Sequence, residues 1–349
     1  MTSRMQTEAA EAPEVVRRQI DLNSDTVRVL GAALRKRAPR AAVTCARGSS
    51  DHAATFAKYL IETHARVITS SAAPSMSSIY DASTDLNDVV FIVISQSGKS
   101  PDLLASARNA RECGALVVSL CNTPGAPIEE VAHYTIPLHA GPEKSVAATK
   151  SFIASLAAIV HLVAEWSEEP ALMDALSIAP SQLKRAFALD WSAALEPLRD
   201  ATNLFVIGRG YGLGVAQEAA LKLKETCGLH AEGFSAAEVQ HGPMALVGTG
   251  FPILAFSQSD DTRSSIEKVA AEFAARGASV LLAGGKAPGA RSLPVIDAHP
   301  VIEPMLTAHP VIEPLLFAQA FYRMANALSL ARGLDPDRPP HLNKVTETV

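Results

Sequence analysis

Two short markers recur at one fixed separation, and that recurrence restricts this chain to a fold built twice. Residues 42–50 (AVTCARGSS) match 204–212 (LFVIGRGYG), so that Arg47-Gly48 returns as Arg209-Gly210 162 positions later. Residues 91–97 (FIVISQS) match 253–259 (ILAFSQS), and Ser95-Gln96-Ser97 returns as Ser257-Gln258-Ser259 at the same offset of 162. A third echo, Cys113-Gly114-Ala115-Leu116-Val117 against Arg276-Gly277-Ala278-Ser279-Val280, lies one residue away, at 163. A period this long is a whole domain rather than a solenoid unit.

Within each copy, short apolar runs alternate with helix-like stretches. In the first copy the strands are expected near 42–46, 66–70, 89–95, 116–121 and 134–138. The helices are expected near 51–63, 74–80, 101–112 and 147–165. Strands that alternate with helices predict a parallel sheet covered on both faces. The runs are apolar throughout rather than at every second residue, which is the mark of buried parallel strands. The α/β domains are expected over 34–173 and 195–339. A helical segment (1–33) precedes them, a linker helix (174–194) joins them, and a tail (340–349) follows.

Ligands of such sheets bind beyond the carboxyl ends of the strands. Both Arg-Gly and Ser-Gln-Ser stand at strand ends. In Ile92–Asp102 (IVISQSGKSPD), a β-branched run meets a polar turn, and a helix then opens with Pro101 in its first turn. Unpaired N–H groups and the positive end of the helix dipole favour an anion there. Three hydroxyls and Lys99 complete a cradle for one phosphate, although an ordinary βα turn with a Ser cap has the same outline. In the second copy Asp260-Asp261 replaces Gly98-Lys99. Like charge there predicts a single working phosphate site, in the first copy.

The second copy concentrates titratable groups instead. Glu218, Lys222 and Glu225 are spaced i, i+4, i+7 in 213–226 (LGVAQEAALKLKET), on one face of a helix. An exposed salt-bridge stripe would give the same spacing. This helix follows the Arg-Gly strand end, however, so its first turns face the ligand-binding edge. Downstream, 230–246 carries His230, Glu232, Glu238 and His241, and His241-Gly242-Pro243 reads as a turn. A loop histidine near a carboxylate helix suits general acid–base work.

Composition excludes other classes. A net charge of −5 and a pI near 6.1 give no basic field for nucleic acid. No apolar run reaches the roughly 18 residues of a membrane span, and no signal peptide is visible. The four cysteines (Cys45, Cys113, Cys121, Cys227) lack metal spacing and read as small thiols of a cytoplasmic protein. A ten-residue tandem copy, AHPVIEPMLT (298–307) then AHPVIEPLLF (308–317), reads as a loop before a last helix near 315–332. Its His299 and His309 read as copied surface residues rather than metal ligands.

These segments together resemble the sugar-isomerase (SIS) double-domain family. Within it they resemble the isomerase half of glutamine:fructose-6-phosphate aminotransferase, and most closely the type II glucosamine-6-phosphate deaminases. The resemblance runs from Met5-Gln6-Thr7-Glu8 through SQSGKS and GPEKSVAATKSF (141–152). It continues through EAALKLKE (218–225) and HAEGFSAAEVQHGPMAL (230–246) to DRPPHLNKVTETV (337–349). It implies two tandem flavodoxin- or Rossmann-like three-layer domains. By matching position, it implies that Ser50, Ser95, Gln96, Ser97 and Ser100 hold a sugar phosphate, with Gly48 and Ser49 beside it. Val146 and Ala147 would offer backbone to the sugar. Glu225 would move the proton between C1 and C2, and His241 would open the ring in the partner subunit of a homodimer with shared sites. Lys222 and Glu218 would position or charge-tune the base, and Lys344 would meet the substrate carbonyl or form a Schiff base. No cofactor or metal is implied.

The family's glutamine-hydrolysing half has no counterpart here, and no Cys follows Met1. The expected reaction is therefore conversion of glucosamine 6-phosphate to fructose 6-phosphate with release of ammonia. Proton abstraction beside a carbonyl needs a tuned carboxylate base. A lysine amine can activate a ketose covalently, and a remote phosphate lets binding energy orient the sugar. Two departures stand out. Lys99-Ser100 replaces an acidic residue and Thr, and Ala148 replaces Ser near the sugar. The alternatives are a galactosamine-6-phosphate deaminase, a fructosamine-phosphate deglycase or another sugar-phosphate isomerase, and, from another class, a non-catalytic sugar-phosphate sensor. The segment before the first domain is too short for the DNA-binding domain that sensors carry.

Overall fold

The computed structural model describes residues 2–80, 82–296 and 309–344. The chain forms two compact units. The first comprises residues 14–143, 150–177 and 343–349; the second comprises residues 1–13, 144–149 and 178–342.

The first unit is built on β1 (Ala41–Cys45), β2 (Ile68–Ser71), β3 (Val89–Ser95), β4 (Leu116–Cys121) and β5 (Tyr134–Pro137). They pair in parallel in the order β2-β1-β3-β4-β5. Every residue of β3 and β4 is buried, as apolar strands flanked by helices require. Strand order reverses between β1 and β3, so the crevice at their carboxyl ends is the sheet's natural ligand position. The Lys150–Ser167 helix is buried on nearly all sides, and its all-round apolar character makes it a core element. Gln19 and Asn23, on the Ala12–Arg37 helix, donate to the carbonyls of Leu138, Ala154 and Pro137 at 3.2, 3.0 and 2.7 Å.

The second unit repeats the plan with β6 (Asn203–Gly208), β7 (His230–Ser235), β8 (Pro252–Phe256), β9 (Ser279–Ala283) and β10 (Arg291–Leu293). Its order is β10-β9-β8-β6-β7, again parallel, with the reversal between β6 and β8. Phe205, Ile253, Ile266, Phe273 and Leu282 belong to its core. The α/β reading and the parallel sheets hold.

The structure adds to the sequence reading at two places. The polar stretch after residue 230 begins as an edge strand, β7, because its backbone pairs with β6 from Asn203↔His230 to Gly208↔Ser235. An edge strand can stay polar, since only one side of its backbone is paired. The second tandem copy is not simply a loop: Val311 and Ile312 are buried and the final helix starts inside it, at Glu313–Ala331. Prolines do argue against a central strand, but Pro314 occupies the first helical turn, where no N–H is needed. His309 is half-buried, its Nδ1 accepting from Val311 N at 3.2 Å. The first copy, with His299, lies outside the described residues. Cys45, Cys121 and Cys227 are buried free thiols, pushed by burial up to about 12, 11 and 11, so all three are inert as nucleophiles.

Candidate active site

In the first unit the expected phosphate ligands gather at the β1/β3 crevice. Cys45 pairs with Val93, so the turns that leave β1 and β3 are neighbours. After β1, Gly48 adopts φ +56 and caps the Ser49–Leu60 helix, leaving Ser49 and Ser50 half-buried in its first turn. After β3, the Ser95 hydroxyl accepts from Gly98 N at 3.0 Å and fixes the turn. Gly98 has φ +64, and a Cβ there would meet Cys121 Sγ and Ala126 Cβ at 2.7 Å. No other residue fits that position. Gln96 and Ser97 are half-buried; Lys99 is exposed. Ser100 caps the Pro101–Glu112 helix without a side-chain cap bond, so its hydroxyl is not committed to that helix.

The two turns are tied together by an ion pair. Arg47 reaches the buried Asp102 through Nε and Nη2, both 2.8 Å from Oδ2. The Arg of the Arg-Gly marker therefore holds the helix that follows Ser-Gln-Ser, which sets the geometry of the cradle.

Lys344 also lies in this unit. Its Nζ is 3.2 Å from the carboxylate of Glu143, whose side chain is fully buried. Glu143 accepts as well from Ser151 N at 3.2 Å and Ser151 Oγ at 2.6 Å. Sequence reading passed over Glu143, although it lies within GPEKSVAATKSF. Its partner is 201 positions away, and no local spacing reports such a contact.

The second unit carries the titratable helix, Leu213–Cys227, which is ended by Gly228 at φ +61. Glu218 and Lys222 are each 1% exposed and Glu225 19%. This is no surface stripe. Lys222 Nζ donates to Glu225 and lies 3.5 Å from Glu218. Tyr322 OH donates to Glu218 at 3.1 Å, a contact the sequence also did not signal. Exposed i,i+4 pairs contribute about 0.3–0.5 kcal/mol. Buried charges cost several kcal/mol each to desolvate, and such clusters concentrate at functional sites.

Val146 and Ala147 sit in a short loop of the same unit. Glu8 anchors it, accepting from Lys144 N at 2.5 Å and Ser145 N at 3.1 Å. Val146 N donates to Asp337 O at 3.5 Å, and the Asp337 carboxylate accepts from Arg4 N and Met5 N at 2.8 and 2.7 Å. His241 is exposed in the turn after β7, and Gly242 beside it takes φ +126.

Residues 37–165 and 197–285 match the SIS domain, the two stretches falling on the two sheets. The chain belongs to the SIS domain family. A structure from Silicibacter pomeroyi DSS-3, provisionally assigned as a phosphosugar isomerase, is 41% identical with a TM-score of 0.90, covering 96% of this chain and 100% of that one. The C-terminal domain of glucosamine-fructose-6-phosphate aminotransferase from Francisella tularensis is 25% identical with a TM-score of 0.84, covering 97% and 99%. The glutamine–fructose-6-phosphate aminotransferase of Aeropyrum pernix is 34% identical over 315 residues, 86% of this SIS chain and 50% of that enzyme. The chain spans about half the length of the curated relatives it matches. Among the described residues, no helix is long and apolar enough to cross a membrane.

Proposed function

We propose that this chain is an amino-sugar-phosphate deaminase that converts glucosamine 6-phosphate and water to fructose 6-phosphate and ammonia. The observation that carries the reading is the buried Glu218–Lys222–Glu225 cluster, a carboxylate held against a desolvated ammonium. That grouping suits proton transfer beside a carbonyl. Similarity to the C-terminal domain of glucosamine-fructose-6-phosphate aminotransferase supports the substrate class.

The substrate's phosphate goes to Ser50, Ser95, Gln96, Ser97 and Ser100, beside Gly48 and Ser49, and the backbone of Val146 and Ala147 serves the sugar. His241, from a partner copy, opens the ring to the aldehyde. Glu225 takes the C2 proton and returns it to C1, leaving an imine at C2. Water adds to that carbon and ammonia leaves, so that the ketone forms and atoms balance. Lys222, with Glu218 and Tyr322 behind it, offers positive charge to the enolate-like intermediate. Lys344, positioned by Glu143, meets the carbonyl.

The test is an ammonia-release screen over hexosamine 6-phosphates in metal-free buffer. Glucosamine 6-phosphate should yield fructose 6-phosphate and ammonia in equal amounts. Turnover of the galacto epimer alone, or isomerisation without ammonia, would replace the substrate assignment. Mixed Glu225→Gln and His241→Ala chains should recover activity as hybrids; inactive hybrids of proven composition would rule out a histidine supplied by the partner.

A further inference from the structure

The C-terminal Ser-Gln-Ser turn already holds an anion, and the anion is part of the chain. Ser259 N donates to Glu313 Oε2 at 2.6 Å, and the Ser259 hydroxyl donates to Oε1. Glu313 is 7% exposed, and burial pushes its carboxyl above the ordinary range against the opposing pull of those hydrogen bonds. Among the described residues no lysine or arginine forms an ion pair with it. The turn's own donors hold it, as they would hold an external oxyanion.

Beside the carboxylate lies a cavity of about 70 Å³, with Ser257, Ser259, Arg263, Gly284 and Phe317 in its wall. Ser257 Oγ is fully buried there and has no hydrogen-bond partner. A buried hydroxyl in that state costs about 1–3 kcal/mol, which an acceptor in the cavity would recover. Arg263 supplies positive charge from the wall, its Nε bonded to Gln258 O at 3.1 Å. Asp260 is the opposing charge. Its oxygens accept from Thr262 N, Thr262 Oγ1 and Gln258 Nε2 at 2.8, 2.5 and 3.1 Å, so they are engaged within the turn.

We propose that this turn is a second oxyanion site, plugged by Glu313, and that its external ligand is free phosphate. The small cavity, of about 70 Å³, and the turn's hydroxyl and N–H donors suit a bare oxyanion better than a hexose phosphate. The site is independent of the reaction proposed above.

The experiment counts bound inorganic phosphate by equilibrium dialysis on the full chain. Glu313→Ala should bind one phosphate more than the unaltered protein, whatever the first turn binds. Adding Ser259→Ala should remove that increment. Glucose 6-phosphate in place of phosphate should give no increment. A folded Glu313→Ala chain without the extra phosphate overturns the proposal, as does an increment that survives Ser259→Ala or appears with glucose 6-phosphate. If Glu313→Ala does not fold, Glu313→Ser is read in the same way. Failure of both to fold even in phosphate buffer also overturns it, because the oxyanion should replace what the carboxylate supplies.

Discussion

The two Ser-Gln-Ser turns share sequence, strand position and switch-point topology, yet in the second a carboxylate from a distant helix occupies the turn's donors. In the first, Ser95 fastens the turn by accepting from Gly98 N, and Ser49, Ser50, Ser97 and Ser100 are all half-buried. In the second, Ser50 has become Gly212, where a Cβ would lie 2.5 Å from Gln258 Oε1, and Gln258 Nε2 instead bonds Arg209 O at 2.5 Å. Glu313 takes the Ser259 donors. A motif alone therefore does not make a phosphate site; what the rest of the unit points into the turn decides. On the function proposed above, one copy grips the substrate's phosphate while the other carries the buried charge cluster.

That division of labour can be broken by mutation. The largest effect should come from Glu225→Gln, which should lower kcat by about 10²–10⁴-fold and leave substrate affinity nearly unchanged. Steady-state kinetics with a separate binding titration would check this, and an equal loss of affinity would blur the comparison. Next, Ser97→Ala should raise KM about tenfold, the scale of one hydrogen bond to a charged group, while Ser259→Ala leaves KM unchanged. Comparable effects of the two would show that the second turn also holds substrate. Glu143→Gln should lower kcat several-fold by loosening Lys344, with little change in melting temperature.

The smallest effect is on pH dependence. Burial raises the Glu313 carboxyl, so the folded state binds its proton more tightly than the unfolded state does. Glu313 therefore favours folding most below its ordinary value of 4.5 and less as pH climbs through its raised one. Melting curves across that rise should show stability falling in the unaltered protein, and Glu313→Gln should flatten the fall. An unchanged slope would mean the second turn does not hold a buried carboxylate.

Much of this architecture is legible without coordinates. The duplication, the alternation of strand and helix, the strand-end turns and the Glu218–Lys222–Glu225 face all follow from local period and spacing, which backbone geometry enforces within a few residues. Whether that face is buried, and what completes each site, was decided only by tertiary structure. Tyr322 reaches Glu218 across 104 positions, Lys344 reaches Glu143 across 201, and Glu313 reaches Ser259 across 54. Such pairings depend on where the folded chain returns, and no periodicity of the sequence encodes that.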